Sequence, residues 1–160
     1  ADPVEAMQIG LTEIPRDCEL HRAIQWALRI APEIKNYQQA RDAVEEKFSD
    51  MQHAHTINNA CLTVWGITIG GNDLTRVIGE TVAMGMDNDC TAATAGSIVG
   101  AVVGKKGIPP RWYEGFGDTI HSYLIRLERL SIRDVLERFD KHAQSIYTQA
   151  NAALLDSVQG

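Results

Sequence analysis

"MGMDNDCTAATAGSIVGAVVGKKGIPPRW", residues Met84–Trp112, sets two aspartates, Asp87 and Asp89, one residue apart ahead of a run built almost entirely of Ala, Gly, Ser, Thr and Val. After the loop, Ala92, Gly96, Gly100 and Gly104 recur every fourth residue, the period of one helix face. Glycine inside a helix costs about 1 kcal/mol relative to alanine. The stripe therefore predicts a central helix that another helix approaches closely, near the ~8 Å end of the interaxial range. Two readings of the aspartates stand side by side. Asp89 can cap that helix, with Asp87 adding a favourable charge at its positive end. One aspartate suffices for that. Two carboxylates near a helix start repel unless a cation joins them, and carboxylates at i and i+2 can aim at one hard divalent ion. An EF-hand is excluded, because counting from Asp87 the sixth residue is Ala92 and the twelfth is Ile98, where glycine and glutamate are needed.

Outward from this loop the chain reads as helix after helix. Asp2 and Pro3 suit an N-cap and first turn, and Gly10 ends that element. A second helix follows Pro15, places Leu20, Ile24, Ala27 and Leu28 on one stripe and stops at Pro32. Asn36 caps a charged surface helix carrying Ala40, Val44 and Phe48 on its apolar side. "HTINNACLTVWGITIGG", residues 55–71, is far less polar and is expected to be mostly buried, closed by Gly70 and Gly71. Asn72 is the expected cap of the next helix, which Gly85 terminates. Pro110 opens a short helix, "TIHSYLIRL" at residues 119–127 reads as helix, and Ser131 with Asp134 resembles a capping box ahead of a final helix. No strand alternation and no internal repeat stand out. The expected fold class is all-α, a multi-helix bundle.

Composition narrows the function. A chain of 160 residues can bury a real core, and its formal charge of −6 with no basic block argues against nucleic acid as a partner. The longest apolar runs, 60–69 and 98–103, fall short of the ~20 residues that span a bilayer, so no membrane role is expected. Cys18, Cys61 and Cys90 are odd in number and form no C-x-x-C pair, which favours a reducing, cytoplasmic compartment. Nothing at the N-terminus, "ADPVEAMQIG", resembles a targeting peptide, and the lack of an initiating Met gives the expectation of a piece cut from a longer protein. Serine-hydrolase and dinucleotide-binding motifs are missing.

The stretch "IGETVAMGMDNDCTAATAGSIVGAVVGKKGIPPRWYEGFGD", residues 78–118, resembles the C-terminal motif of the ADP-ribosylglycohydrolase family: a G-x-D-x-D-[TC] loop, a small-residue helix with A-G-x-x-x-G, and an I-P-x-x-W segment. "GLTEIPRDCELHRAI" and "HTINNACLTVWGITIGGNDL" resemble it too, so the likeness runs from about Gly10 to about Phe139. It implies the C-terminal part of that all-helical fold, with two divalent ions, Mg2+ or Mn2+, in a cleft for ADP-ribose or an ADP-ribosylated substrate. The implied activity is hydrolysis of an N- or O-glycosidic bond of ADP-ribose, with a non-catalytic, crystallin-like relative as the alternative.

Carried over, Asp87 ligates one ion, Asp89 bridges both, and Cys90 stands where many members have a threonine hydroxyl. A thiol is a poor partner for magnesium, so Thr91 or water is the other candidate ligand. Asn88 points away from the ions in the family. His55, Thr56, Asn59 and Asn88 are candidate substrate contacts, beside His53, whose plainer role is a polar helix entry. Trp112 is expected to anchor a turn. The family's remaining ligands, a glutamate near G-D-x-x-G and a T-D-D triplet, do not occur here, and no Asp-Asp pair exists in the chain. Residues 1–160 are therefore expected to form the C-terminal portion of a single domain. Half a domain leaves apolar faces uncovered, so self-association or a companion chain is expected, through the glycine-striped helix and "CLTVWGITI".

Overall fold

A fifteen-residue helix with no polar face has to be covered on all sides, and the fold is built around that requirement. The computed structural model describes residues 2–159, with side chains as far as residue 152. The chain divides after Pro109 into two compact units. In the first, α1 (Pro3–Gly10), α2 (Glu19–Ile30), α3 (Tyr37–Lys47), α4 (Thr56–Gly70), α5 (Leu74–Ala83) and α6 (Asn88–Gly107) form a bundle. In the second, short 3-10 turns at Pro110–Trp112 and Glu114–Phe116 lead to a hairpin of β1 (Thr119–His121) and β2 (Arg129–Ser131), then to α7 (Ile132–Gln159). The architecture is all-α, as the periodicity and the resemblance implied.

Helix α4 is the centre of the first unit. Residues Cys61 to Ile67 are buried without a break. On α2, the Ala27 carbonyl accepts the Trp65 indole N–H at 3.0 Å, and the Ala23 carbonyl accepts the Cys61 thiol at 3.6 Å. A buried indole needs such a partner. Trp26 packs edge-on against both Trp65 and Phe48, with ring centres 5.3 and 5.6 Å apart, and so joins α2 to the end of α3. Ala40 and Val44 are the buried residues of α3, as their four-residue spacing predicts.

The close helix approach falls elsewhere than expected. A Cβ on Gly66 would lie 1.9 Å from the Thr81 hydroxyl, and one on Gly70 would lie 2.6 Å from the Val77 backbone nitrogen. These two α4 glycines let α5 dock. The α6 stripe has ordinary room: a Cβ on Gly96 would meet Ile78 at 3.4 Å, one on Gly100 would meet Ile108 at 3.7 Å, and Gly104 faces open space. Gly104 also takes φ 63°, ψ 175°, which breaks the regular helix before Lys105. The stripe is thus a flank and a stop, and the central helix is α4. Sequence spacing registers the small residues but not which face receives a neighbour.

Four further expectations change. Residues 119–127 are not helical: Thr119 pairs with Ser131, Ile120 with Leu130 and His121 with Arg129 in an antiparallel ladder. A helix there would need a cover for its apolar face, whereas Tyr123, Leu124 and Ile125 are exposed. Asp73 rather than Asn72 caps α5, accepting from the Arg76 amide. Asp87 rather than Asp89 occupies the N-cap position of α6. Within "CLTVWGITI", Cys61 to Ile67 are buried in the first unit and Thr68 and Ile69 are half-buried, so the stretch expected as an association surface is largely core. By contrast, Asp2, Asn36 and Gly71 stand at the helix ends where the sequence puts them.

Asp118 organises the second unit. At φ 62° it accepts from the Arg133 amide (3.0 Å) and the Ser131 hydroxyl (2.9 Å), while its own carbonyl accepts from the Ile132 amide (3.1 Å). Ser131 Oγ in turn accepts from the Asp134 amide, the expected cap of α7. These donors, the Arg133 amide first, hold the Asp118 carboxyl below its ordinary value. A lowered carboxyl stabilises the fold above its unfolded pKa and loses that contribution as pH falls through the folded value. The start of α7 should therefore loosen on acidification below the ordinary carboxyl value of 3.8, and Asp118→Asn should remove that pH dependence, read by hydrogen exchange at Ile132–Asp134.

For the bundle, Gly70→Ala should cost ~1–3 kcal/mol through overpacking against α5. Gly104→Ala should cost through its positive φ alone. Thermal melts of Gly70→Ala and Gly96→Ala compare the two helix faces, and equal losses would contradict the assignment of the close contact to α4.

Candidate metal and substrate site

The loop between α5 and α6 has an unusual backbone. Gly85 (φ 73°) and Met86 (φ 59°) are successive left-handed residues, and the second is not glycine. Such a conformation persists only where surrounding contacts fix it. Two contacts do so from opposite sides. Arg41 on α3 donates from Nη1 to the Met84 carbonyl at 2.9 Å, and its Nε is bonded to Glu45 at 2.6 Å. From α4, the Asn59 carboxamide oxygen accepts the Asp87 amide at 3.2 Å. The same carboxamide donates to the His53 and His55 carbonyls, at 2.6 and 2.9 Å, and to Asn58 Oδ1 at 3.1 Å. Asn58 is fully buried and donates to the Gln52 carbonyl at 2.8 Å.

With the loop so held, Asp87 starts α6. Its carbonyl accepts the Thr91 amide at 3.0 Å, and its side chain makes no capping hydrogen bond. The Asp87, Asp89 and Cys90 ligand atoms lie within 4.8 Å of one another. Asp87 is half-buried, and Asp89 and Cys90 are exposed. The plain capping role that could account for these carboxylates is not the one Asp87 performs. Two carboxylates and a thiol gather at a helix N-terminus, where the aligned peptide dipoles favour the negative charge of the carboxylates.

The electrostatic consequence falls on the thiol. Its hydrogen bond to Asp87, then the charges of Asp87 and Asp89, push the Cys90 pKa above its ordinary value. A bound cation would oppose that effect. Two carboxylate oxygens fit a hard divalent ion, so the donor set is compatible with Mg2+ or Mn2+. Held protonated, the Cys90 thiol adds little to either ion, so the two carboxylates carry the set.

The other sequence candidates take definite places. The Thr91 hydroxyl is turned back on its helix, donating toward the Asp87 and Asn88 carbonyls at 3.2 and 3.3 Å. Asn88 donates to the Val82 carbonyl at 3.2 Å. His55 caps α4, its Nδ1 accepting the Ile57 amide at 3.2 Å, and Thr56 is the exposed first residue of that helix. Asn59 is a buried clamp whose polar atoms are all engaged. Arg41 was not foreseen. It lies in a helix of charged residues, and its partner is 43 positions away, a pairing no local pattern announces.

The family model for ADP-ribosylglycohydrolase matches residues 1–148, and the chain belongs to that family. No curated protein and no solved structure matches the chain. Among the described residues no helix is long and apolar enough to cross a membrane.

A raised pKa means less thiolate at a given pH below it. Cys90 should react with iodoacetamide more slowly at pH ~8 than an ordinary exposed thiol, whose pKa is about 8.5. Asp87→Asn should speed the reaction several-fold, followed by mass spectrometry of the peptide containing Cys90. An unchanged rate in that variant would show that Asp87 does not hold the thiol proton.

Proposed function

We propose that the chain supplies part of the binuclear metal centre of a hydrolase that releases ADP-ribose from an N- or O-glycosidic linkage. The supporting observation is the convergence of Asp87, Asp89 and Cys90 within 4.8 Å on a loop clamped from two helices, with the Asp87 carboxylate left out of capping. In this reading Asp87 and Asp89 would hold the ions, with Cys90 beside them, while the Thr91 hydroxyl is committed to backbone carbonyls of its own helix and leaves the remaining position to water. When bound, the ions supply Lewis-acid polarisation of the ribose hydroxyls and of the hydrolytic water. The chain's own residues position that chemistry. Asn59 fixes the Asp87 backbone, Arg41 fixes the residue before the turn, and the α6 dipole favours the carboxylates where they stand. His55, Thr56, Asn88 and the Asn59 environment border the substrate side.

The chain carries no Asp-Asp pair, so the remaining ligands of a two-ion centre come from elsewhere. We read residues 1–160 as the C-terminal portion of one catalytic domain, which a companion segment carrying the glutamate and the T-D-D triplet completes. The free state of Cys18, Cys61 and Cys90 is in keeping with a reducing, cytoplasmic setting. The thiol at position 90 is the feature that favours the second reading, a binding or structural relative with reduced metal affinity.

Two carboxylates fall short of the ~six oxygens magnesium prefers, so Mn2+ should bind this chain weakly, above micromolar Kd by calorimetry. Asp89→Asn removes one charge and should abolish that binding while leaving the helical circular-dichroism signal and the melting temperature within a few degrees. In the completed enzyme the same substitution should abolish ADP-ribose release. Unchanged manganese affinity in Asp89→Asn would rule out the metal assignment.

A further inference from the structure

Helix α7 carries an apolar seam that is half-buried at Ile132 and exposed from Leu136 onward. Ile132, Leu136, Phe139, Ala143, Ile146 and Ala150 follow one another at spacings of four and three, the repeat of a helix that packs along a second helix. Every residue from Leu136 to Ala150 is exposed, and the large members are strongly so: Leu136 64%, Phe139 71%, Ile146 54%, and the adjoining Tyr147 72%. β2 runs directly into the helix and Ser131 caps it, so its start is fixed while its seam faces solvent. A helix of this length gains most of its stability from packing an apolar face, and contiguous exposed apolar surface of this kind marks an association site.

We propose that α7 is a dimerisation helix, its seam closed by the α7 of a second copy running antiparallel. The seam is complementary to itself in that direction. Phe139 falls opposite Ala143 of the second copy, Leu136 opposite Ile146, and Ile132 opposite Ala150, so that bulky and small residues alternate across the layers as close packing requires. A parallel pair would instead stack Phe139 on itself and leave alanine facing alanine. The symmetric two-fold contact is the commonest arrangement among homo-oligomers.

Charge does not oppose it. From Ile132 to Ala150 the helix carries Arg133, Arg138 and Lys141 against Asp134, Glu137 and Asp140, which leaves no net charge. Asp140, beside the centre of the seam, is engaged by Gln144 Nε2 at 2.8 Å. Phe and Tyr side chains carry on the order of 150–250 Å² each. Two copies sheltering Phe139, Tyr147, Leu136 and Ile146 therefore approach the ~1,000 Å² that a specific interface needs.

Sedimentation velocity on the full chain tests this. The expected result is a dimer at micromolar concentration. Leu136→Glu combined with Ile146→Glu should weaken association by roughly 100-fold or more, because each copy would bury unpaired charges. Ser145→Glu, on the opposite face of the helix, should leave the dimer intact, and hydrogen exchange across 136–150 should slow as concentration rises. A monomeric wild type overturns the proposal, including one in which α7 is protected independently of concentration by another part of its own chain. So does a dimer that survives the double substitution.

Discussion

Helix α4 has no polar face, and covering it dictates the first unit. α2 supplies carbonyls to Trp65 and Cys61, and α5 reaches the backbone where Gly66 and Gly70 leave no side chain in the way. Because α5 is fixed at that distance, the chain leaving its end emerges beside the start of α4. That is where Asn58 and Asn59 wait, buried and committed to backbone groups. The acidic loop is placed by packing of apolar surface on one side of it and by one carboxamide on the other.

The site is an example of polar precision resting on that apolar frame. A left-handed pair at Gly85 and Met86 turns the chain sharply enough to start α6 with Asp87, and such a turn needs fixing from both flanks. Arg41 and Asn59 do this without touching the carboxylate oxygens, of which those of Asp87 also meet the Cys90 thiol. The cost of gathering two carboxylates and a thiol appears in the Cys90 proton, which is held more tightly than in an ordinary thiol. The second unit repeats the logic on a smaller scale, with Asp118 gathering the Ser131 hydroxyl and the Arg133 amide to set the direction of α7.

Much of this was legible in residue order. The helical class, the burial of most of residues 57–67, the caps at Asp2, Asn36 and Ser131 and the D-x-D loop all follow from local chemistry, since each depends on neighbours within about four positions. The hairpin at 119–131 was not legible, because its strands are three residues long and their apolar spacing also suits a helix. The small-residue stripe of α6 was read correctly as a pattern and assigned to the wrong contact. A glycine shows only that a side chain is missing, and whether a neighbour fills the space depends on where α5 lies.

The sequence by itself determined the family, the secondary structure of the bundle and the residue types at the acidic loop, since motif and periodicity are properties of residue order. Tertiary structure decided which of those residues act. It made Asn59 a clamp, recruited Arg41 from 43 positions away, turned the Thr91 hydroxyl back on its own helix and brought Cys90 to the two carboxylates. The physical reason is that a hydrogen bond or a shared charge depends on distances of a few ångströms, and only the packing of α3, α4 and α5 sets those distances across the chain.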